Sequence, residues 1–249
     1  MPQNTHDLDP ATMRTLLSTK TWFGFDLDDT LHEFRKASAH ASSAVFTAIH
    51  EENPTVNIDD LKTSYRDILV STTAGAFADG RTSTEYRRER FSLLLRAHGL
   101  EVSTERLDRL LEVYEVDLRT ALTLKPGALQ LLQRIKGLGK KVIVITEGPQ
   151  DAQRWTVEKL GLRPYIDVLV TTNEIGQSKV DGLFPAVLER YGILASDMVY
   201  VGDNEKRDVV PARAAGISAV LYDEKGGCCF DDRAALRLDS LAKLANLLG

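Results

Sequence analysis

The chain has 249 residues, 43% of them hydrophobic, and a formal net charge of −5. That length fits one large α/β domain or a domain carrying a substantial insertion, and the apolar fraction is enough for a proper core. An excess of acidic over basic residues, 36 to 31, argues against a nucleic-acid partner or an anionic membrane surface.

Residues 1–21 are polar, with one weak helical patch at 13–17. Trp22, Phe23 and Phe25 then predict a short buried strand, because bulky rings pack well on a pleated surface. Three carboxylates, Asp26, Asp28 and Asp29, follow at its carboxyl end. Strand alternation puts Asp26 and Asp28 on one side, and two close carboxylates repel unless a cation or a shared proton relieves them. From Leu31 to Leu124 the period is helical and no strand is predicted. Ala37, Ala41, Val45 and Ile49 share one face. Asn57 or Asp59 opens a second helix through Leu61, Tyr65, Ile68 and Leu69, and residues 75–80 break it. Thr82 and Glu85 have capping-box spacing ahead of Phe91, Leu94 and Leu95. Ser103 opens a fourth helix bearing Leu107, Leu110, Leu111 and Tyr114. An all-helical block after one buried strand reads as an insertion, assigned here to 35–121, within a core made of 1–34 and 122–249. Arg87, Arg88 and Arg90 alternate with Glu85 and Glu89, which predicts a solvated helix face. Phe77 and Arg81 flank the break and are candidates for substrate selection.

Strands and helices alternate thereafter. Helices are predicted at 126–139, 149–160, 184–191, 209–215 and 241–248. Strands are predicted at 142–146, 168–171, 198–202 and 218–222. This order implies a parallel sheet built from right-handed crossovers. Cys228 and Cys229 are adjacent, poor geometry for a structural disulfide, and no other cysteine offers a framework. The first twenty residues contain no apolar run of the signal-peptide kind, and no stretch is long enough for a membrane helix. The expectation is a soluble cytoplasmic protein.

Polar groups recur at the carboxyl ends of the predicted strands, where open α/β sheets bind ligands. Asp26 and Asp28 follow the first strand, Thr146 ends the second, Lys179 lies beyond the third, and Gly202-Asp203-Asn204 follows the fourth. These residue types fit phosphoryl transfer. One carboxylate attacks phosphorus and a second carboxyl handles the leaving-group proton. A hydroxyl and an ammonium hold the non-bridging oxygens. An oxygen-only cluster such as Asp26, Asp203 and Asp208 suits Mg²⁺.

Asp26-Leu27-Asp28-Asp29-Thr30, Thr146, Lys179 within Gln177-Ser178-Lys179-Val180-Asp181, and Gly202-Asp203-Asn204-Glu205-Lys206-Arg207-Asp208 occur in that order. On this ordered set the chain resembles the haloacid dehalogenase-like superfamily of hydrolases, from Trp22 to about Tyr222. The resemblance implies a Rossmann-like parallel sheet of strand order 3-2-1-4-5, with the helical block as an inserted helical-bundle cap. It implies Asp26 as nucleophile and Asp28 as acid/base. Mg²⁺ would be held by Asp26, the backbone carbonyl of Asp28 and Asp203, with Asp208 helping directly or through water. Thr146, Glu147 and Lys179 would form the phosphate-binding end. Glu147 stands at this phosphate end where many relatives have Asn, and its anionic side chain is expected to turn toward the cap or a neighbouring group. Val180 replaces a common Pro, which implies a different loop shape with the ammonium kept.

The implied activity is a Mg²⁺-dependent phosphatase acting on a small phosphorylated metabolite through an aspartyl-phosphate. A phosphomutase of the same superfamily is the near alternative. A metal-independent 2-haloacid dehalogenase is disfavoured by Asp28, which those relatives lack. A phospho-accepting receiver module is disfavoured by length, by the position of the acidic pair and by the helical insertion. No nucleic acid or membrane partner is expected, and the oligomeric state is not legible.

Overall fold

The computed structural model describes residues 10–73, 77–226 and 236–248. Cys228, Cys229 and the first two residues of the predicted break, 75–76, lie outside the described residues. The weak patch near the amino terminus is a full helix, α1 (Pro10–Thr19). Met13 and Leu17 are wholly buried in the core beneath the sheet, so tertiary packing supplies what local pattern did not. The strand β1 (Trp22–Phe25) follows, as expected.

Four helices come next: α2 (Phe34–Glu52), α3 (Ile58–Thr72), α4 (Ser83–Ala97) and α5 (Thr104–Ala121). Their starts carry the predicted caps. The Asn57 side chain accepts from the Asp59 amide. Thr82 and Glu85 form the reciprocal capping box, and Ser103 accepts from the Arg106 amide. Each such cap satisfies an amide that has no partner within the helix. The four helices bury a core of their own that includes Val45, Ile49, Leu61, Phe91, Leu94 and Leu110. It is distinct from the two apolar clusters on either face of the sheet.

The remainder alternates: α6 (Ala128–Gly137), β2 (Lys141–Thr146), α7 (Gln150–Lys159), β3 (Val168–Thr171), α8 (Thr172–Ile175), α9 (Leu183–Tyr191), β4 (Met198–Gly202), α10 (Val210–Ala214), β5 (Ser218–Tyr222), β6 (Leu236–Leu238) and α11 (Leu241–Leu247). All strand pairs are parallel, in the order β3-β2-β1-β4-β5-β6. The expected order of the five predicted strands holds. The sixth was missed because three residues are too few to display an alternation. β2 and β4 read as near-continuous apolar runs because both sheet faces are covered. Residues of α6 and α11 pack on one face, and those of α9 and α10 on the other. Among the described residues no helix is long and apolar enough to cross a membrane.

β1 lies between β2 and β4, so its carboxyl end opens at the point where the chain reverses direction across the sheet. Gly24 makes this junction fit. A Cβ there would lie 2.8 Å from Cδ2 of Tyr200 on β4. The Tyr200 ring is fully buried, and its hydroxyl donates to the Ile145 carbonyl at 2.7 Å and to Asp208 Oδ1 at 3.3 Å. A glycine in β1 therefore lets a β4 side chain reach the carboxyl end of the sheet.

Candidate active site

Asp26 is the first residue past β1, and its amide donates to the Val201 carbonyl at 2.9 Å. The residue is 5% exposed, and Oδ1 lies 2.5 Å from Lys179 Nζ. The same ammonium lies 2.5 Å from Asp208 Oδ1. Burial pushes the Asp26 carboxyl up, the Lys179 ammonium opposes this, and Asp208 and Asp28 push it up further. Burial pulls Lys179 down, but the two carboxylates outweigh it and leave the ammonium above its ordinary value. Lys179 is therefore charged and clamped between two carboxylates. It sits in a 3₁₀ turn (Lys179–Asp181) beyond β3.

The carboxyl end of β4 supplies the other acidic groups. A π-helical turn (Glu205–Val209) leads into α10 and returns Asp208 toward the sheet. The Asn204 amide donates to Asp208 Oδ2 at 3.0 Å. Gly202 is required there, because a Cβ would fall 2.3 Å from Asp208 Cγ. Asp203 Oδ2 accepts from the Arg35 guanidinium at 2.9 Å. Burial raises the Asp203 carboxyl and Arg35 counters it.

The turn after β1 holds the remaining groups. Asp29 adopts φ 62°, a left-handed conformation that Asp tolerates better than most residues. Its Oδ1 accepts from the Arg35 amide at 3.1 Å, and its Oδ2 lies 3.2 Å from Arg35 Nε. Arg35, at the start of α2, thus ties the β1 turn to Asp203. Asp28 Oδ1 is 2.8 Å from Nε2 of the fully buried His32, and Asp28 Oδ2 accepts from Gln153 Nε2 at 3.3 Å. These bonds hold the Asp28 carboxyl apart from the Asp26 clamp.

Thr146 ends β2 as expected, and its hydroxyl is buried with no hydrogen-bond partner among the described residues. Glu147 departs from a phosphate-binding position. Its Oε1 accepts from the Lys179 amide at 2.9 Å, and its Oε2 pairs with Arg207. A carboxylate would repel a phosphate. Here it braces the Lys179 turn instead.

A cavity of about 360 Å³ lies above these groups. Its floor includes Asp26, Asp28, Lys179, Asp203 and Asp208, and its far side comes from the helical block. The block reaches the core through more than its two chain connections. Asp151 of α7 accepts from the Ser83 amide at 3.0 Å and from the Ser83 hydroxyl at 2.7 Å, at the first residue of α4. Asn173 donates to the carbonyls of Phe77 and Arg81 at 3.2 and 3.1 Å. Phe77 lines the cavity, with φ 61°. Arg81 is not among the lining residues. Its guanidinium pairs with Glu89 at 2.7 Å and stacks on the Tyr86 ring. The solvated face expected of Arg87 and Arg90 is corrected, since both line the cavity, whereas Arg88 pairs with Asp108.

Sequence reasoning missed His32, Arg35, Gln153, Tyr200 and Arg207. The Asp28–His32 pair has i,i+4 spacing, a signal that was available. Arg35 meets Asp203 across 168 residues, and no local pattern reports such a contact.

One oxygen each of Asp26, Asp203 and Asp208 lie within 4.8 Å of one another. Three carboxylate oxygens and no nitrogen or sulfur make a hard donor set, which fits Mg²⁺. The Asp28 carboxylate, held by His32 and Gln153, is not part of this cluster.

The family model described as haloacid dehalogenase-like hydrolase matches residues 21–216. The chain is 27% identical over 241 residues to a ribulose-1,5-bisphosphate 5-phosphatase of Halopiger xanaduensis, covering 90% of this chain and 97% of that one. It is 29% identical over 209 residues to the pyrimidine 5'-nucleotidase YjjG of Escherichia coli, covering 79% and 83%. The fold superposes on the magnesium-bound HAD-hydrolase YfnB of Bacillus subtilis with a TM-score of 0.71 at 22% identity, covering 92% and 98%. With the motifs in family order, the sheet order matched and the family model spanning most of its length, the chain belongs to the haloacid dehalogenase-like hydrolases.

Proposed function

We propose that the protein is a Mg²⁺-dependent phosphatase that hydrolyses a small phosphorylated metabolite through an aspartyl-phosphate at Asp26. The observation that carries this reading is the buried Asp26 carboxylate, 2.5 Å from the Lys179 ammonium on the floor of a cavity. Relatives named as phosphatases of small metabolites support the substrate class.

In the first step an Asp26 carboxylate oxygen attacks phosphorus and the bond to the ester oxygen breaks. Asp28 gives its proton to that leaving oxygen. His32 and Gln153 orient the Asp28 carboxyl for this transfer. In the second step Asp28 takes a proton from water, the water oxygen bonds to phosphorus, and the Asp26–phosphorus bond breaks. Inorganic phosphate leaves and both carboxyls return to their starting states. The Lys179 ammonium and the Thr146 hydroxyl, which has no partner among the described residues, are suited to the non-bridging oxygens. Asp26, Asp203 and Asp208 would hold Mg²⁺, which would offset the repulsion between an anionic nucleophile and an anionic phosphate.

The helical block acts in this reading as a cap. It excludes water while Asp26 attacks and admits water afterwards. Dehalogenation is disfavoured by Asp28, whose oriented carboxyl has no leaving oxygen to protonate in that reaction. The test is a phosphate-ester panel with and without Mg²⁺, reading inorganic phosphate. Metal-dependent phosphate release, lost in Asp26→Asn, is expected. Rearranged sugar phosphate without net release would instead identify a phosphomutase, and full activity in EDTA would remove the metal-dependent reading.

A further inference from the structure

Charge is distributed unevenly across the cavity. Its floor carries Asp26, Asp28, Asp29, Asp203 and Asp208. Its far side carries Arg87 and Arg90 of α4, three residues apart and so on one helix face. Neither has a carboxylate within 4.0 Å among the described residues, whereas Arg88 on the same helix pairs with Asp108. Arg87 donates to the Ser83 hydroxyl at 3.1 Å and lies over the Tyr114 ring at 5.0 Å. Arg90 donates through Nε to Thr72 at 3.0 Å and lies 5.6 and 5.7 Å from the Phe77 and Tyr86 ring centres. Its Nη2 is buried without any hydrogen-bond partner among the described residues.

Ring faces attract a guanidinium but leave its N–H groups unsatisfied. Two neighbouring cations without counter-charge are costly in a partly buried place. The cost is removed if an anion arrives from outside. A guanidinium is the side chain best shaped for that, since it grips carboxylate or phosphate with two parallel N–H bonds. The hydroxyls of Tyr114 and Ser38, 3.1 Å apart and both in the cavity lining, add polar partners beside Arg87.

We propose that Arg87 and Arg90 form a second anion subsite, so that the preferred substrate carries a phosphate ester at one end and a further anionic group, phosphate or carboxylate, at the other. This rests on the phosphatase reading for which end reacts. The floor, with Lys179, takes the phosphoryl group to be transferred. The α4 arginines take the group that stays with the product.

Two matched pairs test it: 3-phosphoglycerate against glycerol 3-phosphate, and fructose 1,6-bisphosphate against fructose 6-phosphate. The wild-type protein is expected to favour the doubly anionic member of at least one pair by tenfold or more in kcat/KM. The pair showing the preference identifies carboxylate or phosphate as the second group. Arg90→Met and Arg87→Met should each bring that ratio within about threefold of unity, roughly the loss of one charge-assisted contact. Arg88→Met, on the outer face, should leave it unchanged. Equal rates within both pairs, or a ratio unmoved in both variants, overturns the proposal. A uniform fall for all four compounds also overturns it, since the arginines would then serve the transferred phosphate. If no ester is hydrolysed, the phosphatase reading fails by itself. The subsite is then read by calorimetric titration with the same four compounds, where tenfold tighter binding of a doubly anionic member, lost in Arg90→Met, supports it and equal binding overturns it.

Discussion

The two sides of the cavity are balanced in opposite ways. On the sheet side each acidic group has a partner supplied by the fold. Lys179 serves Asp26 and Asp208, Arg35 serves Asp29 and Asp203, His32 serves Asp28, and Arg207 serves Glu147. On the helical side Arg87 and Arg90 have hydroxyls and ring faces but, among the described residues, no carboxylate. Groups that must keep their place through a reaction are compensated from within. A charge left open is placed for a partner that comes and goes.

The strongest way to break this comparison is at Asp26. Asp26→Asn is expected to lower turnover by several orders of magnitude, since removal of a nucleophile costs most of the chemical acceleration. Turnover within tenfold of wild type would exclude the covalent mechanism. The same substitution should leave metal-free stability equal or higher. A carboxyl raised in the folded state stabilises below its unfolded pKa, and that contribution is lost as pH rises through the folded value. Burial raises Asp26, so above its unfolded pKa the aspartate carries a cost that Asn does not. A melting temperature clearly below wild type would show that the Lys179 pairing outweighs burial.

Lys179→Ala comes next. It leaves two buried carboxylates without their shared cation, and it should depress every phosphate ester alike, tenfold or more, about 1.4 kcal/mol of barrier. A selective effect on one ester would move Lys179 from the phosphoryl end to the specificity end. A smaller, metal-specific effect is expected for Asp203→Ala. It should shift the Mg²⁺ activation midpoint upward and free Arg35 from one of its two carboxylates. EDTA should abolish wild-type activity reversibly. Ca²⁺ should inhibit, because its looser coordination misplaces the attacking oxygen. An unchanged Mg²⁺ midpoint would take Asp203 out of the metal site.

The mildest test sharpens the comparison from the helical side. Thr82→Ala removes the capping box of α4, the helix that carries Arg87 and Arg90. It should cost about 1 kcal/mol of stability, read as a lower urea midpoint, with the substrate ranking kept. A changed ranking would mean that the helix start also sets the position of the arginines.

The legible part of the site was the part that lies in short runs. Asp26 and Asp28, two residues apart after an apolar run, announced themselves, as did Gly202, Asp203 and Asp208 after β4. Thr82 and Glu85 announced the start of α4 in the same way. Arg87 and Arg90 were misread because their neighbours Glu85 and Glu89 made the helix look amphiphilic toward water. Which arginine faces inward depends on the phase of α4 against the core, and that phase is set by the burial of Phe91, Leu94 and Leu95. The pairing of Arg81 with Glu89 is likewise invisible in a one-dimensional pattern.

By itself the sequence determined the order of five strands, the run of helices between the first two and the acidic motifs, because periodicity, caps and motif spacing are local properties of the chain. Only the tertiary structure decided which charge meets which. Lys179 reaches Asp26 across 153 residues and Arg35 reaches Asp203 across 168. Such contacts exist only once β1 lies between β2 and β4 and the helical block has come down on the open end of the sheet. The energy of a charge depends on burial and on its nearest partners, and both are set by that packing.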